Sequence, residues 1–371
     1  MMRVLHILGS LDVGGAETVI MDYYRNIDRS KIQFDFLLAN DGVSYYEEEA
    51  VSLGARIFKR PLRSKRPFKN CYEFSRVLKK NKDIDIIHIH HNSSIASIDC
   101  TIARLKGVKI RIVHSHSTSA LNMERHKWLL PLLRKNTTHH FCCSIDAGIA
   151  MFGEGYEHKL TFVPNARNLS VFKYNLQRRN EMRNELNIGD KYAIINVGRL
   201  IEQKNHTFLL DVLYDALKIQ KDIVLLIVGE GKLRDELIAK AKSLGIYDSV
   251  QFLGLRSDVA DILQASDIYV APSLVEGLNM AAIEAQATGL PTLLSDVHPK
   301  ESQVTGNVEY LSINGERDAW VNGILAYQNH ERHDTHSDNR IFKYDILEAS
   351  KCLEVLYFDI IDKKIDLRME T

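Results

Sequence analysis

The chain has 371 residues, with 48 basic and 48 acidic side chains and a formal net charge of zero, so no cationic field marks it as a nucleic-acid binder. Its 45% hydrophobic and 26% charged content is that of a globular protein, and its length favours two domains over one. Five scattered cysteines (Cys71, Cys100, Cys142, Cys143, Cys352) show no C-x-x-C spacing and point to reduced thiols in the cytoplasm.

The first residues, "MMRVLHILGSLDVGGAE", read as a strand and loop rather than a cleavable leader. No stretch reaches the roughly 18 apolar residues of a membrane span. Short β-rich apolar runs follow at 3–9, 33–39, 55–60, 85–91, 109–115, 139–144 and 160–165, with helical segments such as 16–27 and 71–81 between them. Near-continuous apolar strands alternating with helices predict parallel sheets covered on both faces. The pattern stops in the polar stretch 163–190 and restarts with runs at 192–200, 223–231, 249–255, 267–273, 291–296 and 308–312. The expected architecture is α/β, two doubly wound halves joined near 164–172. Domains are expected over 1–166 and 167–349, with a C-terminal helix over about 350–371 packing back on the first. Ligands of such sheets bind outside the carboxyl ends of the strands, so a cleft between facing halves is the expected site.

In the first half, Gly14 and Gly15 join the first strand to the first helix and allow close approach of backbone to a ligand. Neither this stretch nor "VGEGKLRDEL" supplies G-x-G-x-x-G, so a dinucleotide site is not indicated. His88, His90 and His91 end one strand, and His114 and His116 another. Alternating histidines on a strand can ligate zinc, but without a partner aspartate they serve equally as hydrogen-bonded lining, and no metal is assigned. Two basic segments, 59–69 and 125–135, are a solvated loop and an amphipathic helix, or else a patch that rests on anionic lipid or holds a phosphorylated acceptor.

In the second half, Arg199 follows a strand and Lys204 precedes a helix. A cation at a helix start is misplaced unless an anion joins it, and the pair suits a diphosphate. In "SLVEGLNMAAIEAQATGLP", Asn279 is a candidate N-cap, Met280 to Thr288 is helix-forming, and Gly289 and Pro291 stop it. Glu276 in the Gly277 turn either complements the helix dipole or accepts hydrogen bonds from sugar hydroxyls. Glu284, inside the helix, suits a vicinal diol such as ribose.

Together these stretches resemble the retaining glycosyltransferases of family 4, which have the GT-B fold. The matching segments are "GGAE", "IVHSHS", "VPNARN", "VGRLIEQKN", "LLIVGEGKLRDEL", the run 250–296 and "YDILEASKCLEVLY". They occur in order over nearly the whole chain, and the likeness is greatest to bacterial capsular and exopolysaccharide enzymes. The resemblance implies two facing Rossmann-like domains and transfer of a hexose or N-acetylhexosamine from a UDP-sugar. The implied acceptor is a glycan or lipid-linked saccharide, and neither a metal nor a further cofactor is required. It implies that Glu276 contacts donor hydroxyls and Glu284 the ribose. Arg199, Lys204 and the helix start spanning Gly277, Leu278, Asn279 and Met280 would hold the diphosphate. Leu253 to Arg256, including Gly254 and Leu255, would make main-chain contacts to the base. Gly14 and Gly15 would approach phosphates and acceptor, and His114, with His116 as rival, would face the transferred sugar. The sequence departs from the family at "NARN" in the linker and at Asn279, where a proline is frequent. The implied location is cytoplasmic, with the basic segments offering peripheral contact to the inner membrane leaflet.

Three rival activities differ in what they need. A metal-dependent transferase of the other common fold requires Asp-x-Asp after a strand, whereas Asp83 and Asp85 precede theirs. A histidine-metal hydrolase would use His88 and His90 or His114 and His116. A sugar-nucleotide epimerase would share the fold.

Overall fold

The structure, a computed structural model, describes residues 1–40, 42–116, 123–332, 335 and 338–369, with the backbone alone for Met123, Asn339 and 363–369. Ser117, which closes the "IVHSHS" stretch, lies outside these, as do residues 370–371 of the C-terminal helix expectation. Contacts divide the chain into two units, one built from Met1–Asn168 and the segment from Lys343, the other from Leu169–Phe342.

The first unit holds a parallel sheet of β1 (Met2–Leu8), β2 (Ile32–Leu38), β3 (Ile57–Lys59), β4 (Ile86–His90), β5 (Ile110–Ser115), β6 (His139–Cys142) and β7 (Leu160–Phe162). Their order is β3-β2-β1-β4-β5-β6-β7, so the winding reverses between β1 and β4. Alternate strand residues enter cores on opposite faces. Val4, Phe34 and Ile112 face one core; Leu5, Leu37 and Val113 face the other. The first core is closed by the helix Gly15–Asn26 and by Ile346–Met369, which contributes Leu353, Tyr357 and Ile360. Glu17 in the first turn and Arg25 in the last complement the dipole of Gly15–Asn26. Asp35, buried in β2, is held by Arg3 at 2.7 Å and Arg56 at 2.6 Å. The basic stretch 59–69 is partly structural: Lys59 pairs with Glu47, and Arg60 and Arg63 pair with the buried Asp99. Lys65, Arg66 and Lys69 are exposed.

The second unit contains β8 (Tyr192–Val197), β9 (Ile223–Val228), β10 (Val250–Gly254), β11 (Ile268–Ala271), β12 (Thr292–Ser295) and β13 (Val308–Leu311). The sheet is parallel in the order β10-β9-β8-β11-β12-β13, and it reverses between β8 and β11. Strands therefore form at every run expected, all but β1 and β2 shorter than the run. The polar stretch 163–190 carries no strand but does carry the helix Leu176–Glu185, capped by Asn175, whose side chain accepts from Arg178 N–H at 3.0 Å. That helix is fastened by Arg179 and Arg183, which donate to Asp267 and to carbonyls 264–266. Among the described residues, no helix is long and apolar enough to cross a membrane.

Candidate active site

At the switch point of the second unit, the loop after β8 carries Arg199 and Lys204, and the loop after β11 carries Glu276 to Asn279 and leads into the helix that begins at Met280. The loops are tied by Leu274 N–H donating to Gln203 C=O at 2.8 Å. Lys204 Nζ lies 2.5 Å from Glu276 Oε2, and Ser273 Oγ donates to that oxygen at 3.1 Å. Arg199 is exposed and has no ion-pair partner among the described residues. The helix Met280–Ala287 starts as expected: Asn279 Oδ1 accepts from Ala282 N–H at 3.3 Å. The N–H groups at the start of a helix favour an anion. Gly277, Leu278 and Met280 are partly buried around that start, and Glu284 is partly buried on the second turn.

His298, a residue the sequence reading missed, sits beneath Glu276. Its Nε2 is 4.0 Å from Glu276 Oε2 and accepts from Asn279 Nδ2 at 3.3 Å. Its Nδ1 donates to Ser295 C=O at 3.1 Å. An amide nitrogen only donates, so this network sets the tautomer of a neutral ring. Burial holds the His298 pKa below its ordinary value despite the opposing charge of Glu276. The available signal was a polar residue placed just past the carboxyl end of β12.

The sheet geometry explains the Gly-Glu-Gly stretch after β9. A Cβ on Gly229 (φ +136°) would stand 2.0 Å from Gly198 O, and one on Gly231 would stand 2.4 Å from Leu200 O. These glycines let the loops after β8 and β9 pack together. Gly254 accepts from Gly229 N–H at 2.8 Å, and Leu255 beside it is 81% exposed. Arg256 is engaged by Asp258 and Glu185. A cavity of about 700 Å³ lies at Arg183, Tyr192, Asp222 and Asp267, the amino ends of β8, β9 and β11. That is the opposite end of the sheet from where its ligands bind, so it is not the candidate site.

In the first unit, Gly14 caps the first helix, and a Cβ on it would meet Glu17 Oε2 at 2.3 Å, whereas one on Gly15 would meet open space. Past the carboxyl ends of β1 and β4, a cleft of about 240 Å³ is lined by Gly9, Arg63, His91 and Asp99. His114 and His116 are brought together, ring centroids 4.0 Å apart, within a larger histidine cluster that includes His6, His88 and His90. Asp83 and Asp85 are structural: Asp83 pairs with Arg56 at 2.9 Å, and Asp85 accepts from Arg3 N–H at 2.9 Å.

Residues 13–171 match the family model described as Glycosyltransferase Family 4, and residues 178–341 match Glycosyl transferases group 1. The chain is 34% identical to the putative glycosyltransferase EpsF of Bacillus subtilis, over 87% of this chain and 86% of that one. The chain belongs to the family 4 glycosyltransferases. This glycosyltransferase is also 23% identical, over 98% of both chains, to the Escherichia coli UDP-Gal:alpha-D-GlcNAc-diphosphoundecaprenol alpha-1,3-galactosyltransferase. Among solved structures it shares the fold of Anabaena HepE in complex with UDP and glucose, with a TM-score of 0.77 at 17% identity, covering 97% of this chain and 100% of that one. Its two parallel-sheet Rossmann-like units are those of the GT-B class.

Proposed function

We propose that this glycosyltransferase retains anomeric configuration while moving a hexose or N-acetylhexosamine from a UDP-sugar to a glycan or lipid-linked saccharide in cell-surface polysaccharide synthesis. The observation that carries the reading is the convergence of Lys204, Ser273 and the Asn279-capped helix start on Glu276. An acid, a cation and free N–H groups at one switch point suit sugar hydroxyls beside a leaving diphosphate. UDP is supported by the ligand of HepE, and a diphosphate-lipid-linked acceptor by the name of the Escherichia coli relative.

In this mechanism Glu276 accepts hydrogen bonds from the transferred sugar, and Glu284 holds the ribose. Arg199, Lys204 and the N–H groups from Gly277 to Met280 stabilise the charge that develops on the diphosphate as the glycosidic bond breaks. The acceptor oxygen attacks the same face, and its proton passes to a phosphate oxygen of the donor, so no metal is needed. Gly254 and Leu255 offer main-chain contacts to the base. On the first unit, Gly14 and Gly15 serve phosphates and acceptor, and His114, with His116 as rival, serves the transferred sugar.

The test is to incubate the enzyme with a panel of nucleotide sugars, with and without a lipid-linked saccharide. Released nucleotide diphosphate and the anomeric configuration of the product are read. Transfer with retention, undiminished by a chelator, is the expected result. An inverted product, loss of transfer on chelation, or nucleotide release with epimerised sugar and no acceptor would each overturn a stated part.

A further inference from the structure

The parallel register sets His6 beside His88 and His90 beside His114. With His116 just past β5, five imidazoles gather in one cluster, His6, His88 and His114 buried and His90 and His116 partly so, neighbouring ring centroids lying 4.0–5.5 Å apart. Their hydrogen bonds have an inside and an outside. His90 Nε2 meets His6 Nδ1 at 2.9 Å. His116 Nδ1 meets Asn165 Oδ1 at 3.4 Å. His114 Nδ1 meets His88 Nε2 at 3.3 Å, and His88 Nδ1 in turn meets the Tyr357 hydroxyl at 2.7 Å. Each outer contact takes one nitrogen of an inner ring and leaves the other. The nitrogens left are His90 Nδ1, His116 Nε2 and His114 Nε2. The first two share a hydrogen bond with each other at 2.8 Å, which a bound ion would replace, and the third is buried without a hydrogen-bond partner.

We propose that this cluster is a transition-metal site with His90, His114 and His116 as ligands. One nitrogen from each of these rings lies within 4.8 Å of the others. A tetrahedral ion with bonds of 2.0–2.1 Å needs nitrogens about 3.3 Å apart, a small rotation away. The cavity among the rings is about 10 Å³, room for about one water-sized sphere. His6, His88 with Tyr357, and Asn165 act as the outer partners that orient metal-bound imidazoles. Three uncharged nitrogen donors without a carboxylate disfavour calcium and magnesium and suit zinc, cobalt, nickel or copper.

Three protein ligands leave a fourth position open. An ion held by His114 and His116 withdraws both rings from a substrate, so it acts as a reversible inhibitor. That consequence rests on the glycosyl-transfer reading; the binding itself does not.

The experiment uses the full chain, stripped with a chelator and titrated with cobalt(II). Visible absorption reads tetrahedral geometry, and competition calorimetry with zinc reads stoichiometry. One ion per chain with tetrahedral absorption is expected, lost in His90→Gln and kept in the exposed His158→Gln. Asn165→Ala, which keeps all three ligands, should weaken binding about 10–100-fold. Circular dichroism and urea midpoints confirm that His90→Gln is folded. Absence of tetrahedral absorption in the wild type, or equal binding in His90→Gln, overturns the proposal and leaves a hydrogen-bonded histidine stack. Zinc that binds as described but leaves transfer unaffected overturns the inhibitory role alone.

Discussion

Lys204 and Glu276 hold each other, Nζ to Oε2 at 2.5 Å, while Arg199 in the same loop points to solvent without a partner among the described residues. The two cations proposed for the diphosphate are therefore not equivalent. Lys204 also neutralises a side chain that is 14% exposed, and its loss leaves Glu276 with one hydroxyl and a neutral histidine. Each of Arg199→Ala and Lys204→Ala should slow turnover on the order of a hundredfold, the ~3 kcal/mol worth of one charge-stabilising contact at the transition state. Only Lys204→Ala should also lower the melting temperature. Near-normal turnover in both variants would make them ordinary surface cations.

Glu276 and Glu284 should have separable roles. Glu276→Gln should keep UDP binding and damage transfer, because the acid is proposed to hold the transferred sugar. Glu284→Gln should weaken UDP and the intact donor alike, by roughly 1.5–3 kcal/mol for one charged acceptor. Calorimetry with each ligand distinguishes them, and wild-type behaviour in both would show that the two acids only decorate a helix.

The alternation of apolar runs was enough to place the 13 strands of the described residues, because a parallel strand buried on both faces has almost no polar positions to confuse the pattern. The Asn279 cap was legible for the same local reason: it acts within three residues. What stayed hidden depends on distance in sequence. His6, His88 and Tyr357 are 82 and 269 residues apart along the chain and meet only through sheet register and the returning C-terminal helix. His298 likewise reaches Glu276 only because β11 and β12 are neighbours. The basic stretch 59–69 misled in part, since a charge pattern does not reveal that Arg60 turns inward to Asp99.

The glycines separate packing from ligand access. Gly229→Ala places a Cβ 2.0 Å from Gly198 O at a φ of +136°, so it should destabilise the protein by more than the ~1–3 kcal/mol of a strained backbone alone. Gly15→Ala meets nothing within 4 Å, so its denaturation curve should match wild type while KM for donor or acceptor rises. Equal stability of both variants, or an unchanged KM in Gly15→Ala, would refute the distinction.

Peripheral contact with anionic membrane rests on the exposed Lys65, Arg66 and Lys69 with Phe68 at 90% exposure, and on Trp128 at 81% exposure. Flotation with anionic vesicles should succeed at low salt, weaken at high salt as charges are screened, and drop in Trp128→Ser and Phe68→Ser. Absence of binding at low salt would remove the membrane from the account.

The largest expected loss of stability comes from a buried ion triad of the first unit. Asp99 is 4% exposed and accepts from Arg60 through both oxygens at 2.8 and 2.9 Å, with Arg63 as a third donor. Removing the carboxylate strands Arg60, itself 6% exposed, without a counter-charge, so Asp99→Ala should cost about 3–5 kcal/mol in urea unfolding. The pH dependence follows from the same pair. Burial pushes the Asp99 carboxyl up, but Arg60 and Arg63 outweigh it and hold the folded pKa below 3.8. A depressed carboxylate contributes stability that is present above its unfolded pKa of about 3.9 and is lost as pH falls through the folded value. Wild type should therefore lose more stability than Asp99→Asn as pH drops from about 4 downward, and above about pH 5 the gap between them should be constant. Parallel stability profiles for the two proteins across the acid range would mean that the triad contributes through packing rather than charge.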